Sequence, residues 1–214
     1  MPSTLSAIVW LTLRVSCAAV ALSALAGIPC GVALGLLKFP GKRAASALVH
    51  TGMALPPVVV GLLVYLLLSR SGPLAVLGWL YTPAAMIVAQ TLLALPFVVG
   101  ITMSAVEAVP AELPIQLRSL GASPGQIRWT ILRQARHGVL LAVAAAFGRS
   151  LSEVGAVYIV GGDIAGHTRV LTTAIMLETR KGEFALALWL GAALVGLALA
   201  INLLMLWLQG RARR

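Results

Sequence analysis

The feature that most constrains this chain is a series of apolar runs, each long enough for a membrane-spanning helix, which needs about 20 residues. Of the 214 residues 60% are hydrophobic and 10% charged, and the mean hydropathy is +0.99. A soluble domain carries roughly 25% charged residues, so this chain could not cover a surface that faces water. Lipid leaves no backbone group unpaired, and the runs are longer than barrel strands. The sequence therefore predicts an all-α membrane protein.

About five membrane-spanning helices are predicted, and together they form a single transmembrane domain over residues 1–214. Prolines interrupt two of them, because proline removes a helical hydrogen bond. Pro56 and Pro57 lie within the second span, and Pro96 lies within the third. The predicted spans cover residues 15–37, 44–68, 83–106, 138–160 and 184–208.

Basic residues fall mainly on one side of these spans, and this bias sets the predicted orientation. The loop at 38–43, the segment at 107–137 and the C-terminal tail share that side and hold ten of the 16 lysines and arginines. Short loops rich in these residues face the cytoplasm, so we expect a cytoplasmic C-terminus. The same bias accounts for the net charge of +10 without nucleic acid as a partner.

The long polar segment at 107–137 is predicted to hold two helices, because its prolines exclude a continuous one. A short helix at about 113–120 would end at Gly121, in the position that favours glycine after a helix. Ser123 would then cap a second helix that begins at Pro124. The residues leave open whether this second helix rests on lipid headgroups or docks a soluble partner.

The run RSLGAS, with an isoleucine ten residues after its glycine, resembles the cytoplasmic loop of binding-protein-dependent ABC importer permeases. In that family an EAA-x3-G-x9-I-x-LP signature forms a coupling helix that sits in a groove of the ATPase subunit. This chain departs from the signature, with IQL at 115–117 where EAA is usual and RQ at 133–134 where LP is usual. The predicted ATPase-coupling loop comprises Leu117, Arg118, Leu120, Gly121, Ala122, Ser123 and Ile131.

The fourth span carries RSLSEVGA at 149–156, which is similar to an R-x-x-G-E-F-G-A pattern in oxyanion permeases of the same family. The run LPPVVVGLLVYLLLSRSGPL in the second span looks like the tungstate branch. The resemblance implies a type I ABC importer permease, a homodimer in a bacterial-type cytoplasmic (inner) membrane that imports tungstate. Molybdate or sulfate is the alternative substrate.

The resemblance also implies that ATP is hydrolysed on a separate ABC ATPase subunit, which binds Mg-ATP. The nearest approach to a Walker A loop, GLLKFPGKR at 35–43, has one residue too many between its glycines and no Ser or Thr for Mg²⁺. We expect no catalytic residue, cofactor or metal on this chain. The other expected partner is a periplasmic or lipid-anchored oxyanion-binding protein. In the polar loop 161–182, its candidate contacts are Asp163, His167 and Arg169.

Two opposite charges, Arg149 and Glu153, stand four residues apart in the fourth span and would share one helix face. A charge in a span costs about 2.5–3.5 kcal/mol on insertion scales, so each needs a neutralising partner. They could fix helix packing, line an anion path, or form a gate or proton relay. A stand-alone secondary transporter using that relay is the competing class of protein. The candidate translocation pathway comprises Arg149, Ser150, Ser152, Glu153, Gly155, Pro56 and Pro57.

Overall fold

The computed structural model describes residues 5–211, and every regular element in that range is helical. The last residues of the predicted basic tail, Arg213 and Arg214, lie outside the described range. A short 3₁₀ turn at Ala75–Leu77 lies between two of the α-helices. The α-helices are α1 (Leu5–Leu36), α2 (Lys42–Met53), α3 (Pro57–Leu68), α4 (Pro83–Glu107), α5 (Glu112–Ser119), α6 (Pro124–Leu151), α7 (Gly155–Gly161), α8 (Leu171–Arg180) and α9 (Phe184–Arg211).

The number of spans agrees with the prediction, although two of them are strongly bent. By length and composition α1, α4 and the 184–205 part of α9 can each cross a membrane alone. The pairs α2–α3 and α6–α7 raise the total to five if each pair is one span, with bends of 95° and 58°. The sharper bend lies at residues 54–56, directly before Pro57, and so falls at the Pro56–Pro57 pair as the sequence predicts. The predicted all-helical fold class is confirmed.

Several boundaries differ from those predicted. Helix α1 begins at Leu5 and continues through Arg14, because a single arginine lowers hydropathy without opposing helix formation. Helix α4 continues through Pro96 to Glu107 without a break. The polar segment predicted as a loop at 161–182 contains α8, whose first residues, Leu171 to Ala174, are buried.

The largest difference concerns the predicted border between the cytoplasmic loop and the fourth span. Helix α6 begins at Pro124 and is continuous to Leu151, so the second loop helix and most of that span are one element of 28 residues. The span then breaks at residues 152–154 before α7 begins at Gly155. The single helix places the loop and the break at opposite ends of one rod.

Helices α1 and α4 approach each other most closely along three glycines of α1. Gly27, Gly31 and Gly35 recur at every fourth residue, so they share one helix face. A Cβ atom at Gly31 would lie 2.6 Å from the carbonyl oxygen of Val99, and one at Gly35 would lie 2.7 Å from the Val106 side chain. Small residues at this spacing let helix backbones pack closely in lipid. These glycines therefore set the distance between α1 and α4.

Helix α2 packs on α4 by the same means. A Cβ atom at Gly52 would lie 2.9 Å from the ring of Pro96, and one at Gly100 would lie 2.8 Å from the sulfur of Met53. The Pro96 ring therefore occupies the space that Gly52 leaves open. Helix α4 also contacts α3, α6 and α7, so it is the central helix of the described residues.

Replacing Gly31 with Leu should destabilise the protein, because the new side chain meets the backbone of α4. Overpacking of this kind costs about 1–3 kcal/mol or more. Gly191→Leu in α9 is the matched control, since a Cβ atom there meets no other atom within 4 Å. Thermal unfolding of the detergent-solubilised protein should show a lower melting temperature for Gly31→Leu alone. Equal melting temperatures would contradict the close approach of α1 and α4.

Candidate translocation and coupling sites

Glu153 occupies the break between α6 and α7 and is almost completely buried, with 3% of its side chain exposed. Its Oε2 accepts a hydrogen bond from Nη1 of Arg149 at 3.0 Å. Its Oε1 accepts one from the backbone N–H of Ala156 at 2.8 Å, as an N-terminal helix cap does. One carboxylate therefore neutralises the arginine and satisfies a donor at the start of α7. The predicted ion pair is present, although its two residues do not lie on one continuous helix.

The break is also tied to α8. The hydroxyl of Thr172 donates to the carbonyl oxygen of Glu153 at 2.9 Å. At its own start α8 is held by α1, because the backbone N–H of Leu171 donates to Oγ1 of Thr12 at 2.9 Å. Both hydroxyls lie in the interior of the described helices, where each bond replaces one that water would supply.

The two serines beside the ion pair have different surroundings. Ser150 is buried and bonds Gln90 of α4 twice: its Oγ donates to Oε1 at 2.7 Å, and its carbonyl accepts from Nε2 at 3.1 Å. Ser152 is exposed and its hydroxyl donates to the carbonyl of Arg149. Gln90 is absent from the predicted residues because a lone glutamine in an apolar run carries no motif. Its amide forms a polar link between α4 and α6.

The two helix breaks lie next to each other. A Cβ atom at Gly155 would lie 3.0 Å from the side chain of Val58, which directly follows Pro57. A Cβ atom at Gly61 would lie 2.6 Å from Cα of Ala156. The starts of α3 and α7 therefore touch, and the structure brings the Pro56–Pro57 break to the break that holds Glu153. Gly148, near the end of α6, has open space around it instead.

The predicted coupling loop ends α5 in a Schellman motif, which requires a positive φ after the helix. Gly121 has φ +81°. Its N–H donates to the carbonyl of Arg118 at 2.9 Å, and the N–H of Ala122 donates to the carbonyl of Leu117 at 3.0 Å. Any other residue at position 121 would be strained, since the left-handed region costs about 1–2 kcal/mol for a side chain with a Cβ.

The start of α6 is fixed by a capping box, so the predicted cap is confirmed. The N–H of Gln126 donates to Oγ of Ser123 at 3.4 Å, and the N–H of Ser123 donates to Oε1 of Gln126 at 2.8 Å. Ile131 is buried with Val106 and Ile127, and Leu117 and Ala122 pack against this cluster. These apolar contacts hold the loop on the ends of α4 and α6.

The exposed surface of the predicted coupling loop carries apolar side chains. Leu120 is 83% exposed and Trp129 is 67% exposed. They line a shallow cavity of about 450 Å³ that also touches Gly121. Trp129 is not among the predicted loop residues, because its side chain lies off the Ile127–Ile131 face that marks the helix as amphipathic. A tryptophan on the polar side of such a helix was the available signal.

In the polar loop at 161–182, Asp163 and Arg169 bind each other. Nε of Arg169 donates to Oδ1 of Asp163 at 3.1 Å, and its Nη2 donates to the Asp163 carbonyl at 3.1 Å. Asp163 has a positive φ of 50° and only 8% of its side chain is exposed. His167 lies between them in the chain and is exposed. Of the three predicted contacts, His167 is thus the most accessible.

Residues 27–214 match the family described as "Binding-protein-dependent transport system inner membrane component". The chain belongs to this family. It is therefore the membrane permease of an ABC transport system, as the resemblance predicts. The matched range includes both helix breaks, the predicted coupling loop and the polar loop at 161–182.

Several relatives match over most of their length. A "Probable anion ABC transporter permease protein" of Haloferax volcanii is 48% identical over 90% of this chain and 85% of its own. The "Tungstate uptake system permease protein TupB" of Peptoclostridium acidaminophilum is 41% identical over 94% of this chain and 89% of its own. The "Molybdenum transport system permease protein ModB" of Escherichia coli is 31% identical over 96% and 93%.

Among solved structures, the MetNI methionine ABC transporter in inward-facing conformations contains a chain with the same fold. It matches with a TM-score of 0.75 and 21% identity, over 98% of this chain and 96% of that chain. The permease thus has the type I ABC importer fold that the sequence predicts.

Replacing Glu153 with Ala should destabilise the permease strongly, because it leaves Arg149 unpaired and Ala156 uncapped. Loss of one partner of a buried pair costs about 3–5 kcal/mol. Glu153→Gln retains an acceptor for the Ala156 N–H and should cost less. Glu107→Ala is the control, since its ion pair with Lys42 is 42% exposed on the glutamate side and such pairs contribute about 0–1 kcal/mol.

Melting temperatures of the three solubilised variants provide the measurement. We expect Glu153→Ala to show the lowest value, Glu153→Gln an intermediate one, and Glu107→Ala a value close to that of the unmodified permease. A Glu153→Ala variant as stable as Glu107→Ala would show that Glu153 does not hold the break together.

Proposed function

We propose that this permease imports an oxyanion across the cytoplasmic membrane, with tungstate as the first candidate and molybdate or sulfate as the alternative. The observation that carries the proposal is the identity with relatives over nearly the whole chain. The relative named for tungstate uptake shares 41% identity, and the one named for molybdenum transport shares 31%. Family membership favours an ATP-driven importer over a secondary transporter that relays protons through Arg149 and Glu153.

We further propose that the adjoining helix breaks line the translocation pathway. Transporters commonly place substrate sites where helices are discontinuous, because the freed backbone groups and helix ends are polar. At this point Arg149 keeps 23% of its side chain exposed while Glu153 compensates its charge. A compensated arginine attracts an anion less strongly than a bare one, which favours release. Ser152 is the accessible hydroxyl at this point, whereas Ser150 is engaged by Gln90.

The coupling loop is proposed to dock on a separate ABC ATPase subunit, which binds Mg-ATP and carries out hydrolysis, so that this chain is not itself an enzyme. Leu120 and Trp129 form the exposed apolar surface that such a contact would bury. Helix α6 joins this surface to Arg149 and extends about 40 Å at 1.5 Å per residue. A displacement of the loop would thus move the α6 end of the break as a rigid unit, without an intervening hinge in α6.

The permease is proposed to act as a homodimer that receives its substrate from a periplasmic or lipid-anchored binding protein. In the most apolar 18-residue stretch of α9, 11% of the residues are buried within the chain, so the other residues face lipid or a second copy. The polar loop at 161–182, with Asp163, His167 and Arg169, is the proposed contact for the binding protein. This arrangement puts the coupling loop and the C-terminus in the cytoplasm.

Tungstate uptake should depend on this gene and on ATP. Cells that carry the gene should accumulate tungstate at least tenfold faster than cells that lack it. Unlabelled tungstate should suppress that uptake more strongly than molybdate, and sulfate should suppress it least. Depletion of ATP with an ion gradient maintained should stop uptake. Stronger competition by sulfate than by tungstate would overturn the proposed substrate. Uptake that persists without ATP would overturn the proposed ATP-driven mechanism.

The same assay tests the pathway when it is applied to the double variant Arg149→Gln/Glu153→Gln. This variant retains an acceptor for the Ala156 N–H and leaves no unpaired charge, so it should remain folded. Loss of uptake with an unchanged melting temperature would support contact between Arg149 and the anion. Normal uptake would leave the pair with a packing role alone.

Replacing Leu120 with Asp should release the ATPase subunit. A central apolar contact of an interface contributes about 2 kcal/mol or more, which corresponds to about 30-fold in affinity. The melting temperature of the permease should not change, because Leu120 is 83% exposed. Ser119→Asp adds the same charge one residue earlier and is the control. Co-purification of the ATPase with the Leu120→Asp variant would contradict docking at this surface.

A further inference from the structure

Arg14 is an arginine inside an apolar membrane helix with no neutralising group of its own. Among residues 5–211 it forms no ion pair and no hydrogen bond, whereas Arg149 and Arg169 each bind a carboxylate. Its side chain is exposed on the surface of α1. A charge at such a position is costly unless another group compensates it.

Arg14 faces a cavity of about 360 Å³ between α1, the start of α4 and the loop that joins α7 to α8. Basic side chains from two elements meet there, namely Arg14 from α1 with His167 and Arg169 from the loop. Trp10 and Pro83 form part of the apolar wall. The cavity is larger than a single tetrahedral oxyanion and opens to its surroundings.

The charges around this cavity do not balance. No acidic residue is among the described residues that line it. The nearby Asp163 accepts from Arg169 through its side chain and its carbonyl, so it compensates Arg169. Glu178 of α8 binds Lys181 at 2.9 Å. The positive charge of Arg14 therefore remains for a ligand to neutralise.

We propose that Arg14, His167 and Arg169 form a binding site for a tetrahedral oxyanion group, supplied by a phospholipid headgroup or by a free anion. Arginine suits this chemistry because its planar guanidinium presents several donors to phosphate-like oxygens. The site is distinct from the break that holds Arg149. It does not depend on which anion is imported.

A second cavity beside the first bears on the source of that group. It has a volume of about 780 Å³, lies between α1, α8 and α9, and shares Ile8 and Arg169 with the basic cavity. Leu5, Leu186 and Leu190 contribute to its largely apolar wall. An acyl chain could occupy it while the headgroup phosphate meets Arg14. A free oxyanion would need the basic cavity alone.

The test uses the full-length permease, purified from membranes with its co-purifying subunits, and compares Arg14→Gln with Arg70→Gln. Arg70 is an exposed arginine between α3 and α4 that lines neither cavity, so it is the matched control. In the first arm, native mass spectrometry counts the phosphatidylglycerol molecules retained per chain. In the second arm, equilibrium dialysis in phosphatidylcholine nanodiscs measures the binding of labelled inorganic phosphate and tungstate.

For a lipid source, Arg14→Gln should lose one phosphatidylglycerol per chain while Arg70→Gln retains it. For a free anion, Arg14→Gln should bind phosphate or tungstate at least tenfold more weakly, and Arg70→Gln should bind normally. Arg14→Lys should retain part of the lipid or anion binding. Unchanged melting temperatures of the variants would exclude misfolding. If Arg14→Gln behaves as Arg70→Gln in both arms, the site does not exist. Neither arm measures uptake, so a failure here leaves the proposed import function untouched.

Discussion

The close approach of α1 to α4 is the contact on which the other helix positions depend. In lipid no hydrophobic force draws helices together, so tight van der Waals packing must stabilise the bundle. The glycines of α1, together with Gly52 of α2 and Gly100 of α4, let the helices approach where larger side chains would hold them apart. Because α4 also contacts α3, α6 and α7, its position fixes where both helix breaks lie. The position of the candidate pathway therefore depends on close packing at glycine residues that bind no substrate themselves.

Helix α6 connects the parts of the molecule that transport would need to link. One end carries the capping box and the exposed apolar surface near Leu120, and the other carries Arg149. Glu153 then stabilises a change of direction, because its carboxylate binds the arginine behind it and the amide ahead of it. The two opposite charges, packed within the helices, end one helix and start another. This arrangement accounts for the presence of both charges at the end of α6.

Much of the fold and of the candidate site could be predicted from local patterns. Long apolar runs, the Pro56–Pro57 break, the Gly121 turn and the Ser123 cap each depend on neighbouring residues, and each is confirmed. The continuity of α6, the presence of α8 and the role of Gln90 could not be predicted in this way. The last two depend on partners distant in sequence, namely Thr12 for the start of α8 and Ser150 for Gln90.

The sequence by itself determined that this protein is an all-helical membrane protein with a capped loop at 107–137, because hydropathy, proline and helix caps act between neighbouring residues. It also placed Arg149 and Glu153 within reach of each other, since four residues separate them. Only the tertiary structure decided that Glu153 stands in a break beside Pro57 and that Arg14 shares a cavity with His167 and Arg169 of the loop between α7 and α8. Those neighbours come from separate helices, and the packing of glycine against backbone decides which of them meet.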